Sequence, residues 1–224
     1  GTYDITVSGA EADNYDITYK NGKLTVVSAD AIIETAKSYT ITYGDAIPTL
    51  QYTTSGGTLK GTPTITCSAG KAGDRPGAGT YDIVVAKGTV SNYNVSYVKG
   101  TLTVKKAPLQ VSAISYTKYE GEEMPTLNVR YSGFKNNDNA SVVSNLAFIC
   151  EYAPTSNVGK YTITPDKATA LNYTFASVSD TLTVNQAALM ITAEDKNVTY
   201  GDAVPEYSAT YSGWKNADDA SVDS

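Results

Sequence analysis

The stretch NYNVSYVKGTLTV, residues 92–104, is written three times in this chain. It returns as NYDITYKNGKLTV at 14–26 and as NYTFASVSDTLTV at 172–184. In the first copy Tyr15, Ile17 and Tyr19 alternate with polar residues, and Leu24 and Val26 flank Thr25. Asn21-Gly22 lies between the two runs, and an Asn-Gly pair between period-two runs is a strong hairpin signal. Lys99-Gly100 and Ser179-Asp180 hold the same place in the other copies. The reading is therefore strand, tight turn, strand, repeated.

The repetition extends beyond this phrase. Tyr15, Tyr93 and Tyr173 are 78 and 80 residues apart. GTYDI stands at 1–5 and 79–83, with GKYTI at 159–163. TYGDAIPTL at 42–50 is answered by TYGDAVPEY at 199–207 and, blurred, by KYEGEEMPTL at 118–127. The prolines Pro48, Pro125 and Pro205 are 77 and 80 apart. Three phrases in one phase mean tandem copies of one unit, long enough to be a small domain. The expected division is the last part of a repeat at 1–28, complete repeats at 29–106 and 107–185, and the first part of another at 186–224. The expectation is a piece of a longer repetitive protein.

Composition agrees with a β protein. Tyrosine occurs 18 times, phenylalanine 3 times, and no segment sustains a 3.6-residue apolar period. The net charge of −6 and the lack of a basic cluster argue against nucleic acid and anionic membranes as partners. Tyr81, Ile83 and Val85 share one face of an expected strand, as do Tyr161 and Ile163. Tyr81, Tyr93, Tyr97, Tyr161 and Tyr173 recur in phase and read as core residues. Cys67 and Cys150 fall at equivalent places, one per repeat, and read as buried thiols that act as small hydrophobes.

The segment SGFKNNDNASVVSNL at 132–146 suggests a helix of about two turns capped by Asp138 or Asn139. SGWKNADDASV at 212–222 repeats it, whereas SGGTLKGTPTITC at 55–67 has lost it. Tyr-Gly-Asp reads as turn chemistry. The Tyr ring packs inward, Gly permits a sharp bend, Asp hydrogen-bonds its own turn and Pro sets φ before the next strand.

No histidine is present, which removes the common general base and most zinc sites. Neither a nucleophile elbow nor a phosphate loop appears, so no enzyme activity, catalytic residue or cofactor is expected. Asp138, Asp218 and Asp219 are calcium candidates by ligand type, without EF-hand spacing. Phe134 and Trp214 are ligand-contact candidates, with anchoring of the small helix as the alternative role.

These phrases, in the order TYGDAIP, YTTSG, GTYDIVV and NYNVSYVKGTLTVKKAPL, resemble the MBG repeats of YGX type in bacterial surface adhesins and large secreted proteins. The resemblance covers the whole chain and departs at the missing helix of 55–61 and at YEGEE, 119–123. It implies a mostly β fold: an elongated array of small β-grasp-like modules of about 80 residues, each with at most one short helix. It implies a stalk that spaces a functional tip from the cell, extracellular on a bacterial surface or secreted, with neighbouring repeats as partners. The alternative is that the repeats themselves bind a glycan or a host protein. No direct membrane insertion is expected of this segment.

Overall fold

The computed structural model describes residues 1–27, 30–92, 94–216 and 218–219. Tyr93, read above as a core tyrosine, lies outside the described residues, as do Ala217 and 220–222 of the third corner. The chain divides into two compact units. One holds 1–40, 47–74 and 80–103. The other holds 41–46, 75–79 and 104–224.

Among the described residues eighteen strands follow one another. The N-terminal piece has β1 (Thr2–Ile5) and β2 (Gly22–Thr25). The first complete repeat has β3 (Ile32–Ala36), β4 (Tyr39–Thr42), β5 (Tyr52–Ser55), β6 (Thr64–Cys67), β7 (Gly79–Ala86), β8 (Val95–Val98) and β9 (Gly100–Lys105). The second has β10 (Ala107–Ala113), β11 (Tyr116–Tyr119), β12 (Val129–Ser132), β13 (Ala147–Cys150), β14 (Gly159–Asp166), β15 (Tyr173–Val178) and β16 (Asp180–Asn185). β17 (Met190–Ala193) and β18 (Ala209–Ser212) close the chain. Among the described residues the one helical element is a 3-10 turn, Ala140–Val142. The protein is mostly β and built of tandem repeats.

Each complete repeat makes two sheets. In the second they run β12-β10-β15 and β11-β16-β14-β13; in the first, β5-β3-β8 and β4-β9-β7-β6. β10 and β15 are parallel, as are β11 and β16. Alternation puts Ala107, Leu109, Val111 and Ala113 of β10 on a buried face, and Ile163, Leu182 and Val184 on a face of the other sheet. Ala113 packs against those three, so the two sheets share one core. The partial pieces keep the register. Tyr3 pairs with Leu24 as Tyr161 pairs with Leu182, and Ile191 with Tyr211 as Val111 pairs with Tyr131.

Three expectations are corrected. The NYNVSYVKGTLTV phrase is not a hairpin, because β8 and β9 belong to different sheets, as do β15 and β16. The chain bends from one sheet to the other at Gly100. A Cβ there would lie 2.7 Å from the carbonyl oxygens of Ala36 and Lys37, so this glycine serves a close backbone approach. The β-grasp expectation is not borne out: among the described residues no α-helix packs on the sheets, and each complete repeat has two sheets instead. The two-turn helix of 132–146 is a single 3-10 turn, with Asn139 as its cap: the Asn139 side chain accepts from the Ser141 N–H at 2.9 Å. Asp138 has another use, described below.

The strand readings of GTYDIVV and GKYTI agree with the structure: Ile83 and Ile163 are fully buried and Val85 nearly so. Cys67 and Cys150 are free and half-buried on the outermost strands β6 and β13, rather than fully buried.

Candidate functional site

The Tyr-Gly-Asp turn forms as its residues require. The Asp45 carboxylate accepts from the Thr42 N–H at 2.9 Å, and the Asp45 N–H reaches the Thr42 carbonyl at 2.9 Å. In the second repeat Glu122 replaces the aspartate and accepts from the Tyr119 N–H at 2.6 Å. Gly44 has φ +99, a value that a side chain rarely tolerates.

The tyrosine itself does not turn into its own repeat. Tyr43 is 7% exposed, and its ring stands edge-on to Tyr173 with centroids 5.4 Å apart. Its hydroxyl donates to Asp138 Oδ2 at 2.9 Å. Residues 41–46 and 75–79 therefore pack in the unit that contains the second repeat. Four further contacts join them there. The Ala78 N–H donates to Asn172 Oδ1 at 2.9 Å, and Arg75 Nη1 donates to the Gly44 carbonyl at 2.5 Å. The Tyr43 N–H donates to the Lys105 carbonyl at 2.8 Å. A Cβ on Gly44 would lie 2.8 Å from Lys135 Cβ, so the glycine is required twice, by its φ and by the neighbouring side chain.

The receiving corner is shaped by asparagines. Asn136 (φ 52) and Asn137 (φ 62) take left-handed conformations that asparagine tolerates better than most residues. They present Asp138 to two phenols, Tyr43 and Tyr173, the latter donating at 2.7 Å. Tyr173 is 2% exposed and accepts from the Lys135 N–H at 2.8 Å. Phe134 packs edge-on to Tyr173 at 5.7 Å and against Tyr131 at 5.4 Å.

The same clasp recurs one repeat later with different chemistry. Glu120 stands where the other turns have Tyr43 and Tyr200, and Asn216 corresponds to Asn136. The Asn216 amide donates to Glu120 Oε1, and Gly121 lies over the Lys215 stem, where a Cβ would come within 2.7 Å. Glu120 Oε2 is buried without a partner. Tyr200 is fully exposed.

Burial foremost, with the Asp138 carboxylate adding to it, pushes the Tyr173 phenol from 10.0 up to about 12, against the lowering hydrogen bond from Lys135. The unfolded phenol loses its proton near pH 10 while the folded one keeps it to about pH 12. The stability this group contributes is therefore whole below about pH 10 and lost as pH rises to about 12. Urea titrations across that window are expected to show the fall, and Tyr173→Phe is expected to remove this part of it.

The remaining expected sites are dispersed. The Asp138 carboxylate is committed to phenols, while Asp218 and Asp219 lie exposed at the third corner. Among the described residues no three acidic, cysteine or histidine side chains converge as metal ligands. Trp214 stacks on Tyr211 at 5.5 Å. Phe134 and Trp214 thus each pack on a tyrosine of the strand before the corner. Sequence reasoning missed the outward role of Tyr43. A signal existed: Tyr43, Glu120 and Tyr200 occupy one position, and glutamate is a poor replacement for a core tyrosine.

Comparison with known proteins gives one family and one distant structural likeness. The MBG domain (YGX type) matches residues 1–25, 32–103, 109–183 and 189–224. No curated protein matches the chain. Among solved structures, the crystal structure of Drosophila N-cadherin EC1-4 is 13% identical with a TM-score of 0.29, over 95% of this chain and 68% of that one. A similarity that low carries no argument.

Proposed function

Because this chain belongs along nearly its whole length to the MBG domain family, YGX type, we propose that its repeats form a non-enzymatic, elongated spacer. The spacer is part of a bacterial cell-surface or secreted adhesin-like protein and holds a functional tip away from the cell. The observation that carries this reading is the clasp. A turn written in one repeat buries its tyrosine among residues of the next, Tyr173 and Asp138. A freely jointed string has no use for such a contact. The join supports the same reading, since a single residue, Lys106, separates β9 from β10. A one-residue join leaves little hinge freedom compared with a flexible linker.

Small-angle scattering of the 224-residue chain tests it. A single compact body of this length has a radius of gyration of about 17 Å. An array is expected to exceed that value clearly and to bend more once Tyr43 is truncated. A radius near the compact value would sink the spacer reading.

A further inference from the structure

The repeats serve as each other's controls. Where they agree, the fold needs the residue; where one departs, something else is served. The departures of the second repeat gather in one place. Lys118 stands where the others have Ile41 and Val198, Glu123 where they have Ala46 and Ala203, and Met124 where they have Ile47 and Val204. Two residues after the strand cysteine, Tyr152 replaces Ala69.

Three of these changes, Glu123, Met124 and Tyr152, line a cavity of about 550 Å³ together with Glu122, Phe148 and Asn216, among others. Its size falls within the ligand-pocket range of about 300–1,000 Å³. Behind Tyr152 lies Lys118, only 3% exposed. Its Nζ donates to the Tyr152 hydroxyl at 2.5 Å and sits 4.3 Å from the ring centroid. Among the described residues this ammonium has no carboxylate partner. The first repeat keeps one carboxylate at the matching place, Asp45, but has Ala46, Ile47, Ile65 and Ala69 where the second has Glu123, Met124, Phe148 and Tyr152, so both rings and the second carboxylate are lacking there. The sister repeats show that an aliphatic residue suffices at position 118, and burying an ammonium costs several kcal/mol unless something compensates.

We propose that this cavity is a saccharide site that takes one neutral pyranose ring. The site is independent of the spacer role. Three features select the ligand. A cation would face the buried Lys118. An anion would face the Glu122 and Glu123 carboxylates at the mouth. A purely apolar ligand would strip water from both carboxylates without replacing it. A polyol both donates and accepts, and its C–H face suits Met124 and Phe148. The Tyr152 oxygen already accepts from Lys118, which leaves its own O–H free to donate to a sugar oxygen.

Saturation-transfer NMR on the full chain tests the site, with methyl glucoside, methyl galactoside, methyl mannoside and N-acetylglucosamine as probes. Binding to at least one is expected, with Kd on the order of 1 mM. The double variant Lys118→Ile, Tyr152→Ala restores the residue types of the first repeat and is expected to weaken binding at least tenfold. Glu123→Ala, an exposed change to the sister residue, is expected to weaken it severalfold and keeps the test valid if the double variant unfolds. Absence of transfer from all four probes overturns the proposal. So does transfer that is unchanged in a folded variant, which would leave Lys118 and Tyr152 as a compensating core pair.

Discussion

Replacing Tyr43 by alanine is expected to destabilise the second repeat, although residue 43 is written in the first. The ring is 7% exposed, stands against Tyr173 and donates to a carboxylate. Truncating a buried aromatic costs about 3–5 kcal/mol. Three parts make up that cost: lost apolar burial, an aromatic pair of about 0.5–1.5 kcal/mol, and a hydrogen bond to a charged group of about 1.5–3 kcal/mol. Tyr43→Phe separates the last from the others, because it keeps the ring and removes only the donor. Asp138 then retains Tyr173. Hydrogen exchange read by mass spectrometry locates the effect. The expected loss of protection in Tyr43→Ala falls on 134–138 and on β15, with β3 and β5 unchanged. If protection falls only within 32–103, Tyr43 is a core residue of its own repeat and the clasp is wrong.

That experiment bears on why part of the structure was legible in the sequence and part was not. The Tyr-Gly-Asp turn was legible because its chemistry is local: Asp45 reaches a backbone amide three residues back. The GTYDIVV strand was legible because period-two burial is written directly in Ile83 and Val85. The sheet crossing at Gly100 was not. Val-Lys-Gly-Thr and Asn-Gly pairs carry the same local signal whether the chain doubles back or passes to a facing sheet. What decides is the end of β3, some sixty residues earlier, where the carbonyls of Ala36 and of the next residue, Lys37, crowd Gly100. Parallel pairing of β10 with β15 is equally non-local. The corner at 132–138 misled for a related reason. Asp138 has the composition of a helix cap, and only the arrival of Tyr43 and Tyr173 assigns it to two phenols. The clasp was partly visible, since Tyr43, Glu120 and Tyr200 occupy one position and an exchange of tyrosine for glutamate does not fit a shared core.

The same comparison between repeats exposes a cost in the first one. Glu34 on β3 faces inward beside Ile32 and Ala36 and is completely buried. Its counterparts are Val111 and Ile191, so the fold asks for an aliphatic side chain here. One carboxyl oxygen accepts from Thr54 Oγ1 at 3.0 Å, and the other has no partner. A buried polar atom left unsatisfied costs about 1–3 kcal/mol. Glu34→Val is therefore expected to stabilise the first repeat by about that amount, because Thr54 is exposed and its hydroxyl can turn to water. Valine is smaller than glutamate, so the cavity it leaves takes back part of the gain. Glu34→Ile fills more of the space and is expected to gain the most. The reciprocal change, Val111→Glu, is expected to weaken the second repeat by a similar or larger amount, since the counterpart of Thr54 there is Tyr131, a bulky ring that packs on Phe134 in place of a short hydroxyl side chain. Denaturant titrations of the three variants, with hydrogen exchange to assign each change to its repeat, decide the matter. Loss of stability in both Glu34 variants would mean that the carboxyl holds β3 to β5 through Thr54 more strongly than its burial opposes it.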